Sequence, residues 1–168
     1  MDILIVDDSR LDRTRIKRLI ASAKIGAQIS EAESAQAAIE MASVEYFDCV
    51  LIDYRLPACD GIELAKRLAV TMGSSPSPMI MLTGSPSSDL AEEAFASGVT
   101  DFLSKAGLSA NHLGQTLLNA MIKQRVLKQG GLGEPGHRDS VAQGLARRQS
   151  PSISALRTHA SRAAPPDC

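Results

Sequence analysis

Four apolar runs of strand length each end on a residue suited to phosphate or hard-cation chemistry. Ile3-Leu4-Ile5-Val6 runs into Asp7 and Asp8, and Val50-Leu51-Ile52 into Asp53. Met79-Ile80-Met81-Leu82 runs into Thr83, and Asp101-Phe102-Leu103-Ser104 into Lys105. Continuous apolar runs separated by helix-like segments read as buried strands of a parallel sheet. The carboxyl ends of such strands line one crevice, where ligands bind. Three carboxylates, a hydroxyl and an ammonium are therefore expected to converge on one site.

Strand and helix patterns alternate five times. Strands are expected near 2–7, 27–32, 48–53, 79–83 and 100–104. Ser9 caps a helix over 10–24 with Asp12 in its first turn, ended by Gly26. Ser34 caps a second helix, through Ala37, Ala38, Met41 and Ala42. A third runs through Leu64, Ala65, Leu68 and Ala69 after the loop at 56–61. A fourth spans 88–97, and Ser109 caps a last one reaching 128. Five βα repeats imply right-handed crossovers and a doubly wound α/β sheet, whose strand order periodicity leaves open.

From Gln129 the pattern fades. The last 40 residues hold five of the 12 Gly, four of the 8 Pro and no aromatic. They read as a linker or disordered tail with a fleeting helix near 139–148, after a domain over 1–128. That domain carries 13 Lys/Arg and 16 Asp/Glu, the tail 5 and 3. This balance favours neither nucleic acid nor a membrane surface. Hydrophobic content of 44% allows a real core, and 3% aromatics makes it an aliphatic one. Cys49, Cys59 and Cys168 have no metal or redox spacing and fit a reducing compartment. With no signal-peptide pattern and no apolar run long enough to span a bilayer, a cytoplasmic location is expected.

Two carboxylates about 5 Å apart repel by roughly 3 kcal/mol at an effective dielectric of about 20. Three such pairs exceed what Lys105 alone offsets. Magnesium suits them, because it takes carboxylate oxygens and keeps open positions for water or phosphate. A carboxylate beside a cation and an ammonium is also a known nucleophile toward phosphorus.

In combination, these residues make the chain resemble the receiver domain of two-component response regulators. The matching pieces are Ile5-Val6-Asp7-Asp8-Ser9, Leu51-Ile52-Asp53-Tyr54-Arg55-Leu56-Pro57, Asp60-Gly61, Met81-Leu82-Thr83-Gly84 and Asp101-Phe102-Leu103-Ser104-Lys105. The resemblance covers 1–128 and none of the tail. It implies a flavodoxin-like (βα)5 sheet of order 2-1-3-4-5. It implies that Asp53 accepts a phosphoryl group from a sensor histidine kinase or histidine phosphotransfer protein. Asp8, Asp53 and the Arg55 backbone carbonyl would hold Mg2+, with Asp7 acting through a water. Lys105 and Thr83 would contact the phosphoryl group, and Phe102 would turn inward as Thr83 moves. Arg55 and Ser85 occupy positions that tune phosphoryl lifetime in the family. Most receivers have a proline, often cis, after the lysine. Here Ala106 follows, so a trans bond and a different loop into the last helix are expected.

The first helix carries Arg10, Arg13, Arg15, Lys17, Arg18 and Lys24. Read as a docking face rather than a solvated one, it would meet the kinase through Leu11, Arg15 and Arg18. The last helix carries a second stripe of Leu118, Ile122, Arg125 and Val126. This either widens the core stripe or packs on a partner or a second copy, giving a homodimer. The expected output is contact with a downstream protein target, not catalysis. Two readings compete with this one. Phosphatases of the haloacid dehalogenase type need a second acid two residues after the nucleophile, where this chain has Arg55. A receiver-like module that is never phosphorylated usually lacks an acid or the lysine, and this chain keeps all of them.

Overall fold

The expected alternation of elements is realised, and its caps explain where each helix begins. The computed structural model describes residues 1–74 and 76–130. In chain order the elements are β1 (Asp2–Val6), α1 (Arg10–Ser22), β2 (Gln28–Ala32), α2 (Ala35–Val44), β3 (Cys49–Asp53), α3 (Gly61–Met72), β4 (Met79–Thr83), α4 (Ser88–Ala96), β5 (Asp101–Ser104) and α5 (Ala110–Gly130). Ser9, Ser34, Asp60 and Ser87 each accept a backbone N–H three residues on, which sets where each helix begins. Ser109 does the same for His112 ahead of α5. Helix α5 includes residues 129 and 130; the rest of the segment read as a tail lies outside the described residues.

The five strands are all parallel, in the order β2-β1-β3-β4-β5. This is the flavodoxin-like arrangement the resemblance implied. Alternate side chains serve two layers, as the pleat requires. Leu4, Val6, Val50, Ile52, Met79 and Met81 pack with residues of α2, α3 and α4. Ile3, Ile5, Cys49, Leu51, Ile80, Leu82 and Leu103 pack with residues of α1 and α5. Strands β3 and β4 are buried along their whole length, which explains their unbroken apolar runs.

One helix end differs from expectation. Helix α1 stops at Ser22, because Lys24 takes a left-handed turn (φ 56°) and donates its N–H to the Ala21 carbonyl. Gly26 is not the terminator. After β5 the turn is made by Gly107 at φ 73°, and every described peptide bond is trans, Lys105–Ala106 included. No helix among the described residues is long and apolar enough to cross a membrane.

Gly61 opens α3 against the end of β3. Its N–H donates to the Tyr54 carbonyl at 2.8 Å. A Cβ there would sit 2.6 Å from the Asp53 carbonyl oxygen, a backbone atom that cannot step aside. Gly61→Ala is therefore expected to destabilise the domain by about 1–3 kcal/mol. A urea midpoint equal to that of the wild type would show that the loop can give way.

Candidate functional site

The backbone hydrogen bonding of the sheet runs past the strand ends and aligns the residues that follow them. The Asp7 N–H donates to the Ala32 carbonyl (3.1 Å), the Tyr54 N–H to Leu82 (2.8 Å) and the Lys105 N–H to Thr83 (2.6 Å). Asp7 and Asp53 thus stand on adjacent central strands, at the point where the strand order reverses. Thr83 ends β4 and Lys105 follows β5. Asp7, Asp53 and Thr83 are buried, while Asp8 is exposed. Carboxylate oxygens of Asp7, Asp8 and Asp53 lie within 4.8 Å of one another. The crowding expected from sequence is real.

Lys105 answers much of it. Its Nζ lies 2.7 Å from Asp7 Oδ2, 2.8 Å from Asp12 Oδ2 and 2.9 Å from Asp53 Oδ1. Burial alone would lower its pKa, but bonds to Asp12, Asp7 and Asp53 outweigh that and hold it well above the usual lysine range. The ammonium is a permanent cation at neutral pH. Burial pushes the Asp53 carboxyl up from the ordinary value, and the Asp7 charge adds to that. Lys105 and the Arg55 backbone N–H pull the other way without cancelling it. Asp7 is braced on its other side: its Oδ1 accepts the Ser9 N–H at 2.8 Å.

The remaining residues expected to matter are spread around this centre. Phe102 is half-buried and packs against the α2–α4 layer. The Thr83 hydroxyl accepts the Ser85 N–H at 3.2 Å. The Arg55 side chain donates to the Ser85 hydroxyl at 3.2 Å, tying together the loops after β3 and β4. Leu11, Arg15 and Arg18 are exposed on α1. Arg13 does not belong to that face, because it is buried. Its guanidinium donates to the Asp7 carbonyl at 2.7 Å and to Glu31 and Glu33. On α5 the second stripe does not widen the core: Leu118, Ile122 and Val126 are exposed.

Sequence reasoning missed two residues. Asp12 looked like a first-turn acid favoured by the helix dipole, yet it binds Lys105. Arg13 looked like one cation among six. Its heptad-like neighbours Ile16 and Ile20, both buried, were the signal that its own face turns inward.

The family model described as response regulator receiver domain matches residues 3–117. Transcriptional regulatory protein FixJ of Bradyrhizobium diazoefficiens is 33% identical over 147 residues, covering 87% of this chain and 65% of that protein. A protein-glutamate methylesterase/protein-glutamine glutaminase of Pseudoalteromonas atlantica is 34% identical over 135 residues, covering 77% and 35%. The chain thus spans less than two thirds of the length of these relatives. The chemotaxis protein CheY4 of Vibrio cholerae has a similar structure, with a TM-score of 0.62, 27% identity and coverage of 71% and 97%.

The raised Asp53 pKa carries a sign. The folded state holds this proton more tightly than the unfolded chain, whose value is near 3.8. Without added metal, charging Asp53 therefore costs stability as pH rises through and above that value. Asp53→Asn in a chelator should be more stable than the wild type at pH 7. The advantage should disappear below about pH 4. Urea titrations at several pH values check this, and a pH-independent difference would contradict it.

Proposed function

Because the chain belongs to the response regulator receiver domain family, we propose that it is a phosphoryl acceptor in a two-component relay. Asp53 is the acceptor. The observation that carries this reading is a single ammonium, Lys105, within 2.9 Å of Asp53 and 2.7 Å of Asp7 at the carboxyl edge of the sheet. The donor is a phosphohistidine on a sensor kinase or phosphotransfer protein. An Asp53 carboxylate oxygen attacks phosphorus, the P–N bond breaks, and its electron pair returns to the imidazole nitrogen. Lys105 neutralises charge on the transferring oxygens, and the Thr83 hydroxyl donates to one of them.

The donor set fits a magnesium ion. Oxygen ligands from Asp7, Asp8 and Asp53 gather within 4.8 Å. Lys105 pairs with Asp7 and Asp53, while no ion pair among the described residues reaches Asp8. Asp8, Asp53 and the Arg55 carbonyl would hold the ion directly, and Asp7 through a water. When bound, it supplies Lewis-acid stabilisation of the transferring oxygens.

Phosphorylation adds a dianion that both Thr83 and Lys105 can bond. The Thr83 hydroxyl, which accepts the Ser85 N–H on a lone pair, donates its O–H to the phosphoryl group, and Phe102 fills the space behind it. The equilibrium between two surfaces shifts by the difference in their affinity for the new charge. The output is a changed protein-binding surface. A phosphatase reading is disfavoured by Arg55, which stands where the second acid is required and bonds Ser85 instead. The transcriptional and methylesterase activities named for the relatives belong to those longer proteins.

Acetyl phosphate with magnesium should add one phosphoryl mass to the wild type and none to Asp53→Asn, read by intact mass spectrometry. Modification of both, or of neither, would overturn the assignment. On the kinase side, the exposed α1 residues Leu11, Arg15 and Arg18 are the proposed contact. Charge reversal at Arg15 and Arg18 should slow transfer from the kinase at least tenfold, the scale of lost electrostatic steering, and spare acetyl phosphate. Equal slowing with both donors would remove this face from the interface.

A further inference from the structure

An ammonium has three hydrogens, and Lys105 has three carboxylate partners: Asp7, Asp12 and Asp53. Nζ is hydrogen-bonded to Asp7 and Asp12 and lies 2.9 Å from Asp53, whose carboxylate charge ends when it takes a phosphoryl group. One phosphoryl oxygen can take over the contact to Asp53, and a second one reaching Lys105 must displace Asp7 or Asp12. The two are not equally replaceable. The Asp7 side chain is 1% exposed, so a broken bond there strands a charge away from water. The Asp12 side chain is 38% exposed, and water can take over from the lysine there. Asp12 also stands apart from the metal-type cluster, which consists of Asp7, Asp8 and Asp53. Its link to the cap runs through its backbone N–H, which donates to the Ser9 hydroxyl at 3.3 Å. Changing the side chain leaves that cap in place.

We propose that Asp12 is a positioning residue that occupies one N–H of Lys105 in the resting site and competes with an arriving phosphoryl oxygen for it. Asp12 thereby sets how tightly the site holds a phosphoryl group. Two effects act in the same direction. The carboxylate must surrender a hydrogen bond before the phosphoryl group can take it. It also adds a like charge beside the same ammonium. This inference rests on the functional reading above, because it presumes that a phosphoryl group binds at Asp53.

The test uses the full chain with magnesium and beryllium trifluoride, a phosphoryl mimic, titrated by calorimetry. Wild type must bind the mimic and Asp53→Asn must not; failure at this step overturns the functional reading itself. Given that step, Asp12→Ala should bind about three- to fivefold tighter, the scale of one partly exposed ion pair. The gap should narrow between 50 mM and 500 mM salt. Asp12→Glu should return the affinity toward that of the wild type. Exchange of the Lys105 ammonium hydrogens with water, followed by nitrogen-15 NMR, supplies a second readout. It should be faster in Asp12→Ala than in wild type before the mimic is added, and equal afterwards. Where Asp12→Ala does not fold, Asp12→Asn takes its place with the same expected direction. Affinity equal to or below that of the wild type in a folded variant, or exchange rates that match in the resting state, would overturn the role of Asp12 while leaving Asp53 as the acceptor.

Discussion

One ammonium among four carboxylates governs this molecule. Asp7, Asp8 and Asp53 are held within 4.8 Å of one another by a sheet that cannot relax. Their repulsion at that range is several kcal/mol at any plausible interior dielectric. Lys105 bonds Asp7 and Asp53 and adds Asp12 from α1. No ion pair among the described residues reaches the exposed Asp8, so part of the cluster's negative charge is left uncompensated.

The sheet is what forces these groups together. Parallel strands put every carboxyl end on one edge, and buried strands cannot slip register without turning their side chains to the wrong layer. Backbone bonds from Asp7, Tyr54 and Lys105 to the neighbouring strands carry that register one residue beyond each strand. The loops are tied in as well. Arg13 grips the Asp7 carbonyl from below, and Arg55 reaches Ser85 across the opening. The close approach of Gly61 to the Asp53 carbonyl belongs to the same economy of space.

Much of this was legible in the chain because it is local. The apolar runs at β1, β3 and β4, the serine and aspartate caps, and the placement of Asp7, Asp53, Thr83 and Lys105 at strand ends all follow from spacings of a few residues. Errors arose where local signals are degenerate. Gly26 looked like a terminator, but the left-handed turn fell on Lys24, two residues earlier. The cations of α1 looked like one solvated face, but Arg13 points inward to Glu31, Glu33 and the Asp7 carbonyl. The second stripe of α5 was ambiguous by period alone, and the packing leaves Leu118, Ile122 and Val126 outside.

The class of fold and the residue types at the strand ends were legible in the chain alone. Hydrophobic periodicity reports both directly. Packing alone settled that Lys105 pairs with three acids and that Asp12 is one of them. It also decided that Arg13 is a brace rather than part of a docking face. These facts depend on side chains 93 and 98 residues apart for the Lys105 pairs, and on which side of a helix meets the sheet. Such distances are set by the crossing of packed elements, which no spacing along one helix encodes.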